Sequence, residues 1–273
     1  MISYPALDPV AFSLGPLHFR WYGFMYLLGF ASAWLLARSR IRSGGQSGPG
    51  ARPFWTNEEF DDLVTWVFLG VIVGARVGYV LFYDPFMLLE DPLELFRIWH
   101  GGMSFHGGLL GVLLAFWYFA RKSSRSFLEV SDFIAPLIPP GLFFGRIGNF
   151  INAEHWGTPS NLPWAMVFPG AGPLPRHPSQ VYEALLEGVV LFAILWLVSS
   201  RKQNRGLVSG LFALLYGVFR YAVELVREPD AHIGYLAFGW LTIGQVLTMP
   251  LILVGIWLIV HSQKSETGGI RRH

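Results

Sequence analysis

The sequence predicts an all-α fold: a polytopic membrane protein with seven transmembrane helices and a small extracytoplasmic lobe, built as a single integral membrane domain over residues 1–273. Three observations carry this. The 273 residues are 53% hydrophobic and only 14% charged, with a mean hydropathy of +0.44, whereas a soluble domain carries about 25% charged residues. Seven apolar runs approach the roughly 20 residues that a membrane-crossing helix needs. Lysine and arginine then alternate between the ends of those runs.

In order, the runs cover about 21–37, 63–83, 103–120, 133–151, 181–198, 207–226 and 239–260. Arg38, Arg40, Arg42 and Arg52 follow the first. Arg121, Lys122 and Arg125 follow the third. Arg201, Lys202 and Arg205 follow the fifth, and Lys264, Arg271 and Arg272 the seventh. Thirteen of the 20 basic residues therefore follow odd-numbered runs. Cytoplasmic loops collect Lys and Arg, so the N-terminus is expected outside and the C-terminus in the cytoplasm.

The other connections differ. Residues 84–102 hold Asp84, Glu90, Asp91 and Glu94 against a single fixed positive charge, Arg97. Residues 152–180 are rich in Pro and Gly and read as the lobe, while 43–53 (SGGQSGPGARP) reads as a linker. Residues 1–19 lack a basic start and a small-residue cleavage pattern, so the first run is expected to be retained. Residues 2–18 are expected to lie as a short amphipathic piece on the outer surface. Gly70, Gly74 and Gly78, Gly107 and Gly111, and Gly141 and Gly145 stand four apart, the spacing that lets helix backbones approach in lipid.

Composition excludes several chemistries. The net charge is +2, which points to no nucleic-acid partner, and there are no cysteines. Disulfides, thiolate metal sites and a cysteine nucleophile are thus excluded, and no histidine shows metal spacing with acids.

Ionisable residues inside apolar runs are costly and need a reason. They are Arg76, His106, Arg146 with Asn149, Glu183, Glu187, Arg220, Glu224 and Arg227. All but Arg76 fall toward the outer ends of their runs. Arg220, Glu224 and Arg227 share one helix face by their spacings of four and three. An internal ion-pair ladder and an anion site both fit that face. Two arginines per glutamate leave surplus positive charge, and Arg146 adds to it, so an anionic ligand such as a phospholipid is expected there. His106, flanked by glycines, fits a packing residue or a general base. Tyr26 fits a packing or a catalytic tyrosine, and His177 with Ser179 is expected to cap the fifth helix.

Six stretches together carry a family resemblance: RWYGFMYLLGF (20–30), GARVGYVLFY (74–83), GGMSFHGGLLG (101–111), GRIGNFINAEHWG (145–157), HPSQVYEALLEG (177–188) and FRYAVELVREPD (219–230). In this order they resemble the bacterial prolipoprotein diacylglyceryl transferases, with small departures at Ala153 and His155. The resemblance implies transfer of the sn-1,2-diacylglyceryl group from phosphatidylglycerol to the lipobox cysteine of a preprolipoprotein, with release of glycerol phosphate and no cofactor or metal. It implies an inner-membrane enzyme whose site faces the outer leaflet. Arg146 would bind phosphate and Arg220 would be a second essential arginine. Tyr26, Asn149, Glu154 and Gly157 match positions important for activity. His106 is the candidate base, Glu224 would orient Arg220, and Arg227 would contact lipid or the lobe. The alternative is a phospholipid or anionic-solute transporter, which would show pseudo-symmetric halves and a second polar layer.

Overall fold

Helices occupy every one of the seven apolar runs in the computed structural model, which describes residues 2–5, 7–44, 54–86, 91–229 and 234–270. They are α1 (Trp21–Arg42), α2 (Asn57–Phe82), α3 (Phe105–Lys122), α4 (Phe127–Ile151), α5 (Ser179–Ser199), α6 (Leu207–Glu224) and α7 (Ile243–Ile270). Among the described residues, α2, α4, α5, α6 and most of α7 are long and apolar enough to cross a membrane. Helices α1 and α3 are not in that set, and both end in basic residues: Arg40 and Arg42 in one, Arg121 and Lys122 in the other. Arg52, Glu90, His232, Arg271, Arg272 and His273 lie outside the described residues, as do residues 45–53 of the expected linker.

The fold is mostly helical rather than wholly so. Strand β1 (Ile2–Ser3) pairs in parallel with β4 (Met166–Val167), and β2 (Val10–Leu14) pairs antiparallel with β3 (Leu17–Arg20). The short piece expected over residues 2–18 is therefore built of strands. The hairpin turns at Gly15, whose φ of +58° suits a residue without a Cβ. Strands this short carry no periodic signal, which is why the sequence did not announce them.

The chain divides into two compact units, Arg40–Ser131 and the remainder, Met1–Ser39 with Asp132–His273. In the unit Arg40–Ser131, α2 starts ahead of its apolar run. Thr56 and Glu59 form a capping box there, which satisfies the free N–H groups of the first turn. Helices α2 and α3 then pack backbone to backbone. A Cβ on Gly70, Gly74 or Gly78 would run into Gly107 or Gly111, and the reverse holds. In lipid, such contact replaces the hydrophobic drive that is absent between helices.

Arg76 is also explained within this unit. It is buried, and its guanidinium donates to the backbone carbonyls of Glu94, Leu95, Gly101 and Gly102. It pins the 91–102 segment rather than serving a ligand. In that segment Arg97 pairs with Asp91 and Glu94, each at 2.7 Å, and holds the Glu94 carboxyl below its usual range.

In the other unit α1 crosses α4 where Gly29 meets Gly141, and Gly148 of α4 leaves room only for the ring of Tyr22. A Cβ on Gly145 would meet nothing within 4 Å, so no close helix contact requires a glycine there. Helices α6 and α7 pack through Gly210, Gly217 and Gly255. Gly111→Val should split α2 from α3, since its Cβ would overlap Gly70. We expect a loss of more than about 2 kcal/mol of stability, read as a lower melting temperature by tryptophan fluorescence in detergent.

Candidate active site

The site is built where α4, α5 and α6 meet. Prolines at 136, 139 and 140 place a 3₁₀ turn at Ala135–Leu137 in α4, after which regular helix delivers Arg146 and Asn149. Helix α5 starts at Ser179 and turns π-helical over Ala184–Val190, so Glu183 and Glu187 sit at the junction and within the wider turn. Helix α6 presents Arg220 and Glu224 near its end, with Arg227 just beyond.

These side chains form one alternating chain of charge. Glu187 Oε2 lies 3.5 Å from Arg146 Nη2, and Arg146 Nε lies 3.2 Å from Glu183 Oε2. Arg220 Nη1 donates to Glu183 Oε1. Arg220 Nη2 is 2.8 Å from Glu224 Oε2, and Arg227 Nη1 is 3.6 Å from the same oxygen. Glu183 and Glu187 are 0% exposed, while Arg146, Arg220 and Arg227 keep 20%, 13% and 12%. The acids stand behind and the guanidiniums in front.

The surplus of positive charge expected from α6 and Arg146 is balanced once the α5 acids are counted. Three arginines face three carboxylates, so the more exposed side of the cluster is cationic while the whole is formally neutral. Removing one partner of a buried pair costs about 3–5 kcal/mol, because the other charge is left uncompensated.

A second group of residues clasps the turn after α4. Asn149, buried, donates to Glu154 Oε1 at 2.8 Å, and the Glu154 N–H donates back to Asn149 O at 3.0 Å. Asn152 and Gln180 add bonds to Glu154, the latter from Nε2 to the backbone oxygen at 2.6 Å. Ala153 (φ +51°) and His155 (φ +60°) are both left-handed, a strained state for residues with a Cβ. Gly157 has no room for a Cβ, which would meet Val226 O and His177.

Residues 152–180 knit together through bridges between Pro159, Met166 and Arg176. Arg176 also binds Glu228 at 2.9 Å, and the hydroxyl of Tyr4, just after the first strand, donates to Phe150 O at 2.7 Å. His177 does not cap α5: Pro178 stands at that position, His177 Nδ1 meets the Tyr182 hydroxyl at 3.2 Å, and Ser179 Oγ donates to His155 O.

Tyr26 stands one turn along α1 from Tyr22, with their hydroxyls 3.2 Å apart and its own within electrostatic range of Glu154 and Arg146. Arg146, Asn149, Glu154, Gly157, Arg220, Glu224, Arg227 and Tyr26 thus belong to one unit. His106 belongs to the unit Arg40–Ser131, as the second residue of α3, with its side chain exposed and the helix capped by Ser104. Several residues at the site were not singled out for it from sequence. Tyr216 lies in electrostatic range of Arg146 and Arg220. Thr242 donates to Glu224 Oε1 at 2.9 Å, and Gly244 leaves space for that carboxylate alone. The i, i+4 spacing of Glu183 and Glu187 was the signal for a shared inward face. No group of His and acidic residues that could hold a metal occurs among the described residues.

An apolar cavity of about 440 Å³ lies between α1, α4 and the π-helical turn, lined by Leu35, Leu36, Phe143, Phe144, Gly188 and Phe192 among others. Phe143 is one turn from Arg146, and Gly188 follows Glu187.

A helical membrane protein with a cluster of partly exposed guanidiniums next to an apolar cavity is the class that the fold and these side chains define. Residues 9–261 match the family model for prolipoprotein diacylglyceryl transferase. The chain is 61% identical to a phosphatidylglycerol–prolipoprotein diacylglyceryl transferase of Nitratidesulfovibrio vulgaris (strain DSM 19637 / Miyazaki F), with 100% of both chains covered. It is 60% identical to the protein of that name in Oleidesulfovibrio alaskensis and 55% identical to that of Pseudomonas paraeruginosa, with 97% of each chain covered in both cases. The chain belongs to the prolipoprotein diacylglyceryl transferase family and is a multi-pass membrane transferase.

Two predictions follow from the local geometry. Gly244→Ala should displace the Glu224 carboxylate and lower the melting temperature while leaving the helix content by circular dichroism unchanged. Burial pushes the His177 imidazole below its ordinary value of 6.5. Below that pH the unfolded chain takes a proton that folded His177 resists. Stability from this group is therefore present above about pH 6.5 and lost as the pH falls. The drop in melting temperature between about pH 7.5 and about pH 5.5 should be smaller in His177→Gln.

Proposed function

We propose that this chain transfers the sn-1,2-diacylglyceryl group of phosphatidylglycerol to the lipobox cysteine thiol of a preprolipoprotein, the first step of bacterial lipoprotein maturation. The observation that carries this is the gathering of the Arg146 and Arg220 guanidiniums, from two helices, around Glu183. The apolar cavity beside them has the lining that an acyl chain requires. The names of the relatives supply the two substrates.

In this reading seven helices span the bacterial inner membrane, with the N-terminus outside, the C-terminus in the cytoplasm, and residues 152–180 as an extracytoplasmic lobe on one membrane domain. The cationic face lies at the outer leaflet. The substrate thiol gives its proton to a base, for which His106 is the candidate, because the thiolate is the nucleophile. Sulfur attacks the glyceryl carbon that bears the phosphate, a C–S bond forms, and the C–O bond breaks with its electron pair passing to the phosphate oxygen. Glycerol phosphate leaves. Arg146 and Arg220 meet the charge that develops on that oxygen, where fixed donors act most strongly. Asn149, Glu154 and Gly157 hold the turn beside them, Glu224 and Arg227 extend the ion chain, and Tyr26 closes the α1 side.

The test is direct. Purified protein in detergent receives labelled phosphatidylglycerol and a lipobox peptide, and the diacylglyceryl thioether and glycerol phosphate are measured. The wild type should yield both, and their absence overturns the proposal. Arg146→Ala should lose at least about 100-fold in kcat/KM. His106→Gln should lose a comparable factor of about 100; near-normal turnover would move the base elsewhere.

A further inference from the structure

Glu183 has a geometry that none of the other acids at the site shares. It is fully buried, and each of its oxygens lies against an arginine from a different helix: Oε1 accepts a hydrogen bond from Arg220 of α6, and Oε2 stands 3.2 Å from Arg146 Nε of α4 as an ion pair, without a hydrogen bond. Glu187 is equally buried, but its ion pair is with Arg146, at 3.5 Å. Both ion pairs of Glu224 are with arginines of its own segment, and its Oε1 accepts from Thr242.

Two guanidiniums drawn to one phosphate repel each other at short range, and the repulsion grows as water is excluded. A carboxylate placed between them and behind them relieves that repulsion and sets their separation. Its hydrogen bond to Arg220 orients that guanidinium, and its second oxygen beside Arg146 Nε draws the other guanidinium toward the same point.

We infer that Glu183 is a positioning residue that holds Arg146 and Arg220 as a single two-armed clamp for the phosphate of the lipid donor. The inference rests on the proposed transferase reading. Glu183 touches no substrate; it acts through the two arginines. Arginines held at the wrong separation still attract an anion, but they no longer follow the charge that appears on the leaving oxygen. The effect therefore falls on kcat more than on KM.

The experiment compares Glu183→Gln, Glu187→Gln, Arg220→Lys and the double variant Glu183→Gln/Arg220→Lys with the wild type in the thioether assay. Glu183→Gln should lower kcat at least ~10-fold while KM for phosphatidylglycerol moves less than ~3-fold. The double variant should be no slower than the slower single, because both changes break one device. Losses that multiply in the double variant overturn the inference, since they would mark an independent packing role. A kcat loss equally large in Glu187→Gln also overturns it, since that change alters charge by the same unit without cutting the bridge. If Glu183→Gln does not fold, Glu183→Asp decides. It keeps the charge on an arm one methylene shorter and should show the same fall in kcat; wild-type kcat would overturn the inference. An inactive wild type would instead sink the transferase reading.

Discussion

Charge inside a membrane-spanning helix survives only with a partner, and this chain meets that constraint in two ways. Arg76 spends its guanidinium on backbone carbonyls and so becomes a strut for a loop. Arg146 and Arg220 lean on carboxylates that are themselves shut away from solvent, which leaves part of each guanidinium turned outward. The first arrangement uses up the donors of the arginine, whereas the second leaves some of them for a ligand. The same residue type is thus a strut in one unit and keeps outward donors in the other, and the difference lies in the neighbours.

The ion chain also needs firm ground. The turn after α4 is locked by reciprocal bonds between Asn149 and Glu154, by Gln180 from the start of α5, and by the backbone of Gly157 pressed onto Val226 and His177. Two left-handed residues flank Glu154, a strain worth about 1–3 kcal/mol each when the surroundings enforce it. Those bonds join the ends of α4, α5 and α6, the helices that bring the charges together. Rigidity at the rim and charge order below it are parts of one construction.

Much of this was readable beforehand, for definite reasons. Apolar runs of helical length declare themselves because the bilayer allows few alternatives; each run holds a helix, and five of these helices are long and apolar enough to cross a membrane among the described residues. The α2–α3 glycines were found by spacing, because close approach in lipid demands it. Arg220, Glu224 and Arg227 share a face as their intervals require. What stayed hidden depended on contacts between distant segments. The two small sheets pair residues far apart in sequence or too few to show alternation. The charge balance of the site is not legible from the α6 face and Arg146 alone, because only the packing of α5 against α4 and α6 turns Glu183 and Glu187 toward the arginines. Arg76 could not be told from a ligand-binding arginine, since its partners are carbonyls, which composition does not display.

The π-helical turn of α5 carries a final consequence. Such a turn holds one residue more than regular helix allows, so its length in residues is itself information. Loss of one residue between Ala184 and Val190 would tighten the turn to ordinary helix with the flanking stretches still in phase, whereas the same loss in the regular helix Leu191–Ser199 would turn everything beyond it by about 100°. Phe192 would keep to the cavity wall and Glu183 to the arginines, and the change would fall on the backbone around Glu187. A single-codon deletion is thus a smaller disturbance in this turn than in the regular helix that follows it.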